Sequence, residues 1–229
     1  MTKKRKIALY ALAGVATVFF LTVVTVALLL DSFIKSTVES VGPKMTRTAF
    51  TLDQVDIRLL QGSGRLTGLL IGNPTNYSST FAMKMDEALL DIHAGTFLDE
   101  KLVVESIKIA GPEITFEGSR TENNLKAIAL NIGEFVGTWE ERERLDRKLQ
   151  VNHFLLSDAK VHLRLELFGK REITLKAPTI ELHDLGMGPE GITSAELSEL
   201  VIQQISDTVG GMIVTALAEL GRESRRETP

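Results

Sequence analysis

The chain has 229 residues, which is typical of one or two domains, and its 26 basic and 30 acidic residues give a net charge of −4. Because there is no basic surplus, the composition argues against binding to a nucleic-acid backbone. Cysteine is absent, which excludes disulfide frameworks, cysteine-ligated zinc, iron–sulfur clusters and thiol nucleophiles.

An uncharged segment near the N-terminus predicts a membrane anchor. Residues 7–30 are 24 in a row without a charged side chain. As a helix of ~36 Å they would cross a hydrocarbon core of ~30 Å with some tilt. Four basic residues precede them: Lys3, Lys4, Arg5 and Lys6. By the positive-inside rule, we expect residues 1–6 in the cytoplasm and the chain beyond residue 30 across the membrane. A cleaved signal peptide is the alternative, but its apolar region would be only ~7–15 residues long and would end in small residues.

Beyond a short stalk over 31–48, apolar and polar residues alternate with a period of two. This alternation is typical of antiparallel sheets that have one face in water. The apolar positions are Val55, Ile57, Leu59, Leu90, Ile92, Ile107, Ile109, Val161, Leu163, Leu165, Ile180 and Leu182. The pattern predicts a mainly β domain over 49–192 with about nine or ten short strands.

A helical insertion is predicted at about 123–149. Its first part, 123–136, carries apolar residues at mixed spacing, and its second part, 138–149, is highly charged with acidic and basic residues four apart. Trp139, the only tryptophan, begins the charged part. It either anchors the helix by packing or belongs to an interface with a partner.

A last helix is predicted over 193–221, followed by a polar tail over 222–229. Thr193 and Glu196 have the spacing of a capping box at its start. An apolar stripe runs along the helix, and its polar face lacks the basic residues of an interfacial membrane helix. We therefore expect this amphipathic helix to cover the sheet, the alternatives being a membrane surface or a partner.

A strand–turn–strand pattern recurs three times within the sheet region. The first copy contains Ile107, Ile109, Pro112, Ile114 and Phe116. Copies shifted by 47 and 66 residues contain Phe154, Leu156, Ala159, Val161 and Leu163, and then Ile173, Leu175, Pro178, Ile180 and Leu182. The repeat predicts a meander that grows by adding similar hairpins.

Two stretches resemble the AsmA-like family. They are FTLDQVDIRLLQGSGRLTGLLIGNP over 50–74 and VESIKIAGPEI over 104–114, the latter followed by Asn123-Asn124-Leu125. The resemblance covers roughly 45–190. It implies a protein of a diderm envelope, anchored in the inner membrane, with a periplasmic sheet curled into a groove with an apolar lining. It further implies a role in phospholipid movement or in outer-membrane integrity. The chain is shorter than the larger members, which argues against bridging two membranes alone.

The search for catalytic chemistry finds no candidate. The chain contains no G-x-S-x-G, H-E-x-x-H or P-loop motif. Asp91 and His93 share one strand face, but metal sites need three or four ligands and no second close pair supports them. The family motif contributes no catalytic residues either. We therefore expect no enzymatic activity, no cofactor and no metal.

Two functions remain open. In the first, the twelve apolar positions line an open groove that shelters phospholipid acyl chains, because a large uncovered apolar face needs an occupant. In the second, the helices close the groove over a dry core, and the protein is an envelope scaffold or interaction subunit. The two differ in whether Ile57, Leu163, Leu165 and Ile180 line a cavity or pack under the helix over 193–221.

The predicted number of strands also limits the reach of the protein. Stacked side by side, nine or ten strands would form a trough of ~45 Å, too short to span a diderm envelope. An unpaired sheet edge in the strands over 171–184 would allow extension by another envelope protein or a second copy of the chain.

Overall fold

A computed structural model of the chain describes residues 3–119, 121–138, 147–165 and 172–226; for residues 3–9, most of 11–28 and 216–226 it describes the backbone alone. Within this part of the chain, ten strands form one curled, open sheet that three helices accompany. The prediction of a mainly β chain with about ten strands is confirmed.

The helices are α1 (Lys3–Thr46), α2 (Asn124–Thr138) and α3 (Ser194–Arg226). The strands are β1 (Phe50–Thr51), β2 (Gln54–Arg58), β3 (Ser63–Gly72), β4 (Phe81–Ile92), β5 (Lys101–Ala110), β6 (Glu113–Gly118), β7 (Lys148–Ser157), β8 (Lys160–Leu165), β9 (Ile173–Lys176) and β10 (Ile180–Leu185). Two 3-10 turns, Leu59–Gln61 and Ala94–Thr96, follow β2 and β4.

Most of the short strands lie end to end in pairs. Both β1 and β2 pair with β3, and both β5 and β6 pair with β4. Likewise β7 and β8 continue one another, as do β9 and β10. The described sheet is therefore only six strands wide, or about 24 Å at ~4.8 Å per spacing. The trough of ~45 Å expected from ten strands side by side is wrong for this reason.

A bend crosses the sheet where these pairs meet. Residues with left-handed backbone lie on it: Gly68 with a φ of 67°, Gly111 with 63° and Asp158 with 55°. Gly111 separates β5 from β6 and Asp158 separates β7 from β8, while Gly68 lies in β3 between the stretches that pair with β2 and β1. The buried positions change phase at the bend, from Ile109 to Ile114, yet both side chains stay in one apolar cluster.

The internal repeat corresponds to this bend and not to hairpins. The shift of 47 residues is the register in which β5 and β6 pair with β7 and β8, as in Ile107 with Phe154 and Ile114 with Val161. Both pairings are parallel, and the two halves of each copy do not pair with one another. The predicted hairpin meander is therefore wrong, and the sheet is mixed, not antiparallel. A parallel neighbour requires a crossover connection, which α2 supplies.

The helices α2 and α3 lie against the apolar face of the sheet. Leu125 and Ile128 of α2 and Ile205 and Val209 of α3 are at most 1% exposed and belong to one cluster with the strand residues. The predicted helices over 123–136 and 193–221 are confirmed by α2 and α3. The charged segment over 138–149 lies mostly outside the described residues, as does Trp139, and its last two residues begin β7, so that end of the prediction is wrong.

The predicted stalk is the C-terminal part of α1 and covers one edge of the sheet. The Oδ1 atom of Asp31 accepts a hydrogen bond from the backbone N–H of Ile57 at 2.9 Å, and Lys35 Nζ donates to the Asp53 carbonyl at 2.7 Å. The backbone N–H of Leu52 donates to Glu39 at 3.3 Å. These side chains satisfy backbone groups that an edge would leave free.

None of the helices in the described part of the chain combines the length and apolarity that crossing a membrane requires. Most side chains of the predicted transmembrane segment over 7–30 lie outside the described residues.

Candidate functional site

The curled sheet brings the predicted groove residues together on one face. Ile57, Leu90, Ile107 and Leu182 lie in one row across the strands, with Gly64 and Phe154 between them. The next row runs through Val55, Leu66, Ala88, Ile109, Leu156 and Ile180. Leu59 is an exception, because it belongs to a 3-10 turn and not to a strand. The predicted set omitted Leu66, Ala88, Phe154 and Leu156, which complete the rows.

Most of this face is covered. Seven of the twelve predicted positions are buried, namely Val55, Ile92, Ile109, Val161, Leu163, Leu165 and Ile180. The other five are half-buried, namely Ile57, Leu59, Leu90, Ile107 and Leu182. Leu163, Leu165 and Ile180 belong to the same apolar cluster as the inward faces of α2 and α3. At these positions the helices close the groove.

Two cavities lie away from the predicted groove. One of about 470 Å³ lies between α2 and α3 and is lined by Lys126, Glu199, Asp207 and Val214, among others. The other, of about 360 Å³, lies on the polar side of β6 and β8, where His162 and Arg164 contribute to its lining. None of the twelve predicted groove residues lines either cavity. Neither one is an acyl-chain site of the kind the sequence predicted.

A hydrogen-bonded carboxylate, Glu117, ties a loop to β6. It accepts hydrogen bonds from the backbone N–H groups of Ser78 and Ser79, both at 2.8 Å, and from the Ser78 hydroxyl at 2.7 Å. Burial raises the pKa of Glu117, but the hydrogen bonds from the two serines outweigh it and lower the pKa to about 2. The charged carboxylate therefore has a structural role in holding the loop over 73–80.

His162 lies beside this loop in a partly acidic surrounding. Its Nδ1 atom is 3.2 Å from Glu172 Oε1, and its Nε2 atom is 3.9 Å from Glu113 Oε2. Nε2 is buried and has no hydrogen-bond partner among the residues that the structure describes. The adjacent Arg164 donates to Glu172 at 3.1 Å. Thr174 Oγ1 also lies 3.1 Å from His162 Nδ1, so polar contacts link β6, β8 and β9 in this group.

Three side chains that the sequence analysis left separate converge on the outer face of β7 and β10. His153, Glu181 and His183 place one ligand atom each within 4.8 Å of one another. The sequence pattern suggested a different pair, Asp91 and His93. In the structure His93 contacts another carboxylate, because its Nδ1 atom lies 3.2 Å from Glu105 Oε1. The sequence Glu181-Leu182-His183 could have indicated part of the group of His153, Glu181 and His183, because residues two apart on a strand share a face.

Comparison of the chain with protein-family models and with curated proteins found no match.

Proposed function

We propose that the protein is a non-enzymatic scaffold or interaction subunit of a bacterial envelope, anchored in the inner membrane by residues 7–30 with its sheet domain in the periplasm. The basic cluster before residue 7 supports this orientation. The resemblance to the AsmA-like family supports the compartment, and the chain would be a short member. The sequence contains no G-x-S-x-G, H-E-x-x-H or P-loop motif, which supports a role other than catalysis.

The observation that carries the scaffold role is the burial of the groove. Leu163, Leu165 and Ile180 are 2, 5 and 5% exposed and share one cluster with α2 and α3. An apolar face covered in this way does not need a lipid to shield it from water. The sheet and helices then form a rigid body that projects from the membrane.

Phospholipid binding is the second candidate, and a specific observation favours it. The row of Ile57, Leu90, Ile107 and Leu182 is only half-buried, although it lies on the apolar face of a curled, open sheet. An acyl chain laid along this row would shield it from water. Such a role would be local to the outer face of the inner membrane, since the five spacings of ~4.8 Å between the six strands make the described sheet about 24 Å wide.

Native mass spectrometry of the detergent-purified full chain distinguishes the two candidates. A closed scaffold should appear at the mass of the polypeptide, with adducts no more frequent than those of an unrelated single-span protein in the same detergent. A phospholipid that stays bound at one or more per chain would contradict the scaffold role. If Leu182→Trp, which fills the half-buried row, removed that lipid, the second candidate would replace the first.

We also propose that a partner adds to the edge formed by β9 and β10. In the described residues, β9 pairs only with β8 and β10 only with β7, whereas α1 covers the opposite edge. The partner is another envelope protein or a second copy of the chain. Thr174→Cys should crosslink to it in native membranes, and Gln54→Cys, on the covered edge, should not. Equal crosslinking at both positions would contradict this assignment.

A further inference from the structure

The contacts of α1 show which end of the sheet faces the predicted membrane segment. Glu39 of α1 contacts Leu52, and Asp31, which lies nearer the N-terminus of the helix, contacts Ile57. The helix covers ~12 Å between these residues and the strand ~16 Å. The loop after β2 therefore lies level with residue 30, where the uncharged segment ends.

Three loops emerge at this same end. The register pairs Arg58 with Ser63 and Ser63 with Asp91, so the turn over 59–62 lies beside the loop over 93–100. The pairing of Leu185 with Val151 brings the loop over 186–193 to this end as well. The backbone N–H of Ile92 donates to the Gly62 carbonyl at 2.6 Å, which joins the first two loops.

Each of these loops exposes one large apolar side chain. Leu60 is 89% exposed, Leu98 is 99% exposed and Met187 is 59% exposed. Single exposed leucines are common on protein surfaces, but three on neighbouring loops at one end form a set. Phe33 of α1, 69% exposed, lies just beyond residue 30, at the level where aromatic residues collect at membrane interfaces.

The opposite end of the sheet has a different character. Its described loops, 73–80 and 119–123 without residue 120, contain no large apolar side chain of comparable exposure. They are held by polar contacts such as those of Glu117 with Ser78 and Ser79. Among the described loops, the strongly exposed apolar side chains thus lie at the end that the anchor would bring against lipid.

We propose that Leu60, Leu98 and Met187 form a membrane rim that inserts into the outer leaflet of the bilayer in which α1 is anchored. This inference rests on the proposed anchor. The rim gives the domain three further attachment points beside the helix, which fixes its orientation on the membrane. The half-buried row of Ile57, Leu90, Ile107 and Leu182 then lies close to the lipid surface.

The test uses single cysteines, because the natural chain has none. Full-length Leu60→Cys, Leu98→Cys and Met187→Cys are labelled with an environment-sensitive fluorophore and reconstituted into vesicles of phosphatidylethanolamine and phosphatidylglycerol. Insertion into the bilayer should shift the emission of all three labels to the blue, and spin-labelled lipid should quench them. The matched control, Asn76→Cys in an exposed loop at the opposite end, should show neither effect.

A label at Val18→Cys distinguishes a failure of the rim from a failure of the anchor. If the labels at positions 60, 98 and 187 remain as unquenched as the one at 76 while the label at 18 is quenched, the anchor stands and the rim is wrong. If the label at 18 is not quenched either, the anchor itself is wrong.

A second site follows from an independent observation on β7 and β10. His153 and His183 are cross-strand partners, and Glu181 lies on the same face as His183. Glu181 Oε1 lies 2.7 Å from His153 Nε2, within hydrogen-bond distance, and 3.5 Å from His183 Nε2. The two rings stack with their centroids 5.0 Å apart and their planes at 10°.

These three atoms are within reach of one divalent ion. In a tetrahedral site with ligands at ~2.0–2.1 Å, the ligand atoms lie ~3.3 Å from one another. The distances from Glu181 to the two histidines bracket this value, and all three ligand atoms lie within 4.8 Å of one another. The two stacked rings have to turn for both Nε2 lone pairs to face the ion. Two imidazoles and one carboxylate suit Zn²⁺ and Cu²⁺, with water as the fourth ligand. The side chains are 30, 49 and 59% exposed, so an ion can reach them from solvent. The geometry points to a surface site for Zn²⁺ at His153, Glu181 and His183.

Calorimetric titration of the detergent-solubilised full chain with Zn²⁺ alone tests this site. We expect one ion per chain and a loss of that binding in His183→Ala. The matched control is His93→Ala, which removes an exposed histidine that has one carboxylate neighbour, Glu105. Absence of stoichiometric binding, or an equal loss in both variants, would overturn the assignment.

Discussion

Glu117 is a single carboxylate whose ionisation contributes to the stability of the fold. Its pKa of about 2 lies below the value of ~4.3 for an unfolded chain. The contribution is therefore fully present above pH ~4.3 and is lost as the pH falls towards the folded-state pKa. Glu117→Gln should lower the free energy of unfolding by ~1–2 kcal/mol at neutral pH, a figure reduced because solvent screens this partly exposed group.

Urea denaturation of both proteins across the acidic range measures this effect. The difference between wild type and Glu117→Gln should shrink below pH ~4.3. Glu190→Gln, at an exposed position in the loop over 186–193, is the control and should leave the free energy of unfolding unchanged. A difference that stays constant down to low pH would show that the charge of Glu117 is not responsible.

Leu163 tests the phase of the apolar face. It is 2% exposed beneath the helices, so Leu163→Asp should cost ~3–5 kcal/mol of stability, since it buries an unpaired charge. Lys160→Gln, at an exposed position of the same strand, should stay within ~0.5 kcal/mol in the same denaturation experiment, since it adds no acid beside its strand partner Glu113. His162 is no neutral control, although the sequence pattern places it on the polar face, because Glu113 and Glu172 already face it. Equal costs for Leu163→Asp and Lys160→Gln would mean that the strand phase is wrong.

At the scale of the element, the start of α3 is stabilised by its predicted capping box. The backbone N–H of Thr193 donates to Glu196 Oε2 at 2.7 Å, and the backbone N–H of Glu196 donates to Thr193 Oγ1 at 3.1 Å. The hydrogen bond from the Thr193 backbone lowers the pKa of Glu196. Both contacts satisfy backbone donors that a helix start leaves free.

Thr193→Ala should therefore destabilise the protein by ~1 kcal/mol, as loss of an N-cap hydroxyl does elsewhere. Thermal unfolding followed by circular dichroism measures the change. Ser198→Ala, at a half-buried position about one turn further along the same helix, should have no such cost, because alanine favours helix. If both variants unfolded at the same temperature as wild type, the cap would contribute nothing to the fold.

At the scale of the whole molecule, the proposed anchor predicts one topology. A reporter fused after Pro229 should be active only outside the cytoplasm. Changing Lys3, Lys4, Arg5 and Lys6 together to Glu should weaken or invert insertion, because the basic cluster sets the orientation. Changing the four residues to Arg is the control and should leave the topology intact. A cytoplasmic C-terminus in the unaltered protein would contradict the envelope proposal.

Local patterns in the sequence determined the elements and the apolar face. Strand residues two apart share a face, so the alternation around Leu163 and Ile180 identified buried positions without knowledge of the neighbouring strands. The capping box of Thr193 and Glu196 spans a single turn and is equally local. For this reason the twelve predicted positions could be assigned to one face. Leu59 is the exception, because it lies in a 3-10 turn and not in a strand.

Only the tertiary structure decided how the strands are arranged. The parallel pairing of β5 with β7, the end-to-end joining at the bend and the closure by α3 depend on contacts between distant parts of the chain, which alternation does not encode. The convergence of His153 with Glu181, and of Leu60 with Leu98, has the same origin. Side-chain periodicity reports which face a residue occupies, but strand order and register determine which residues meet there.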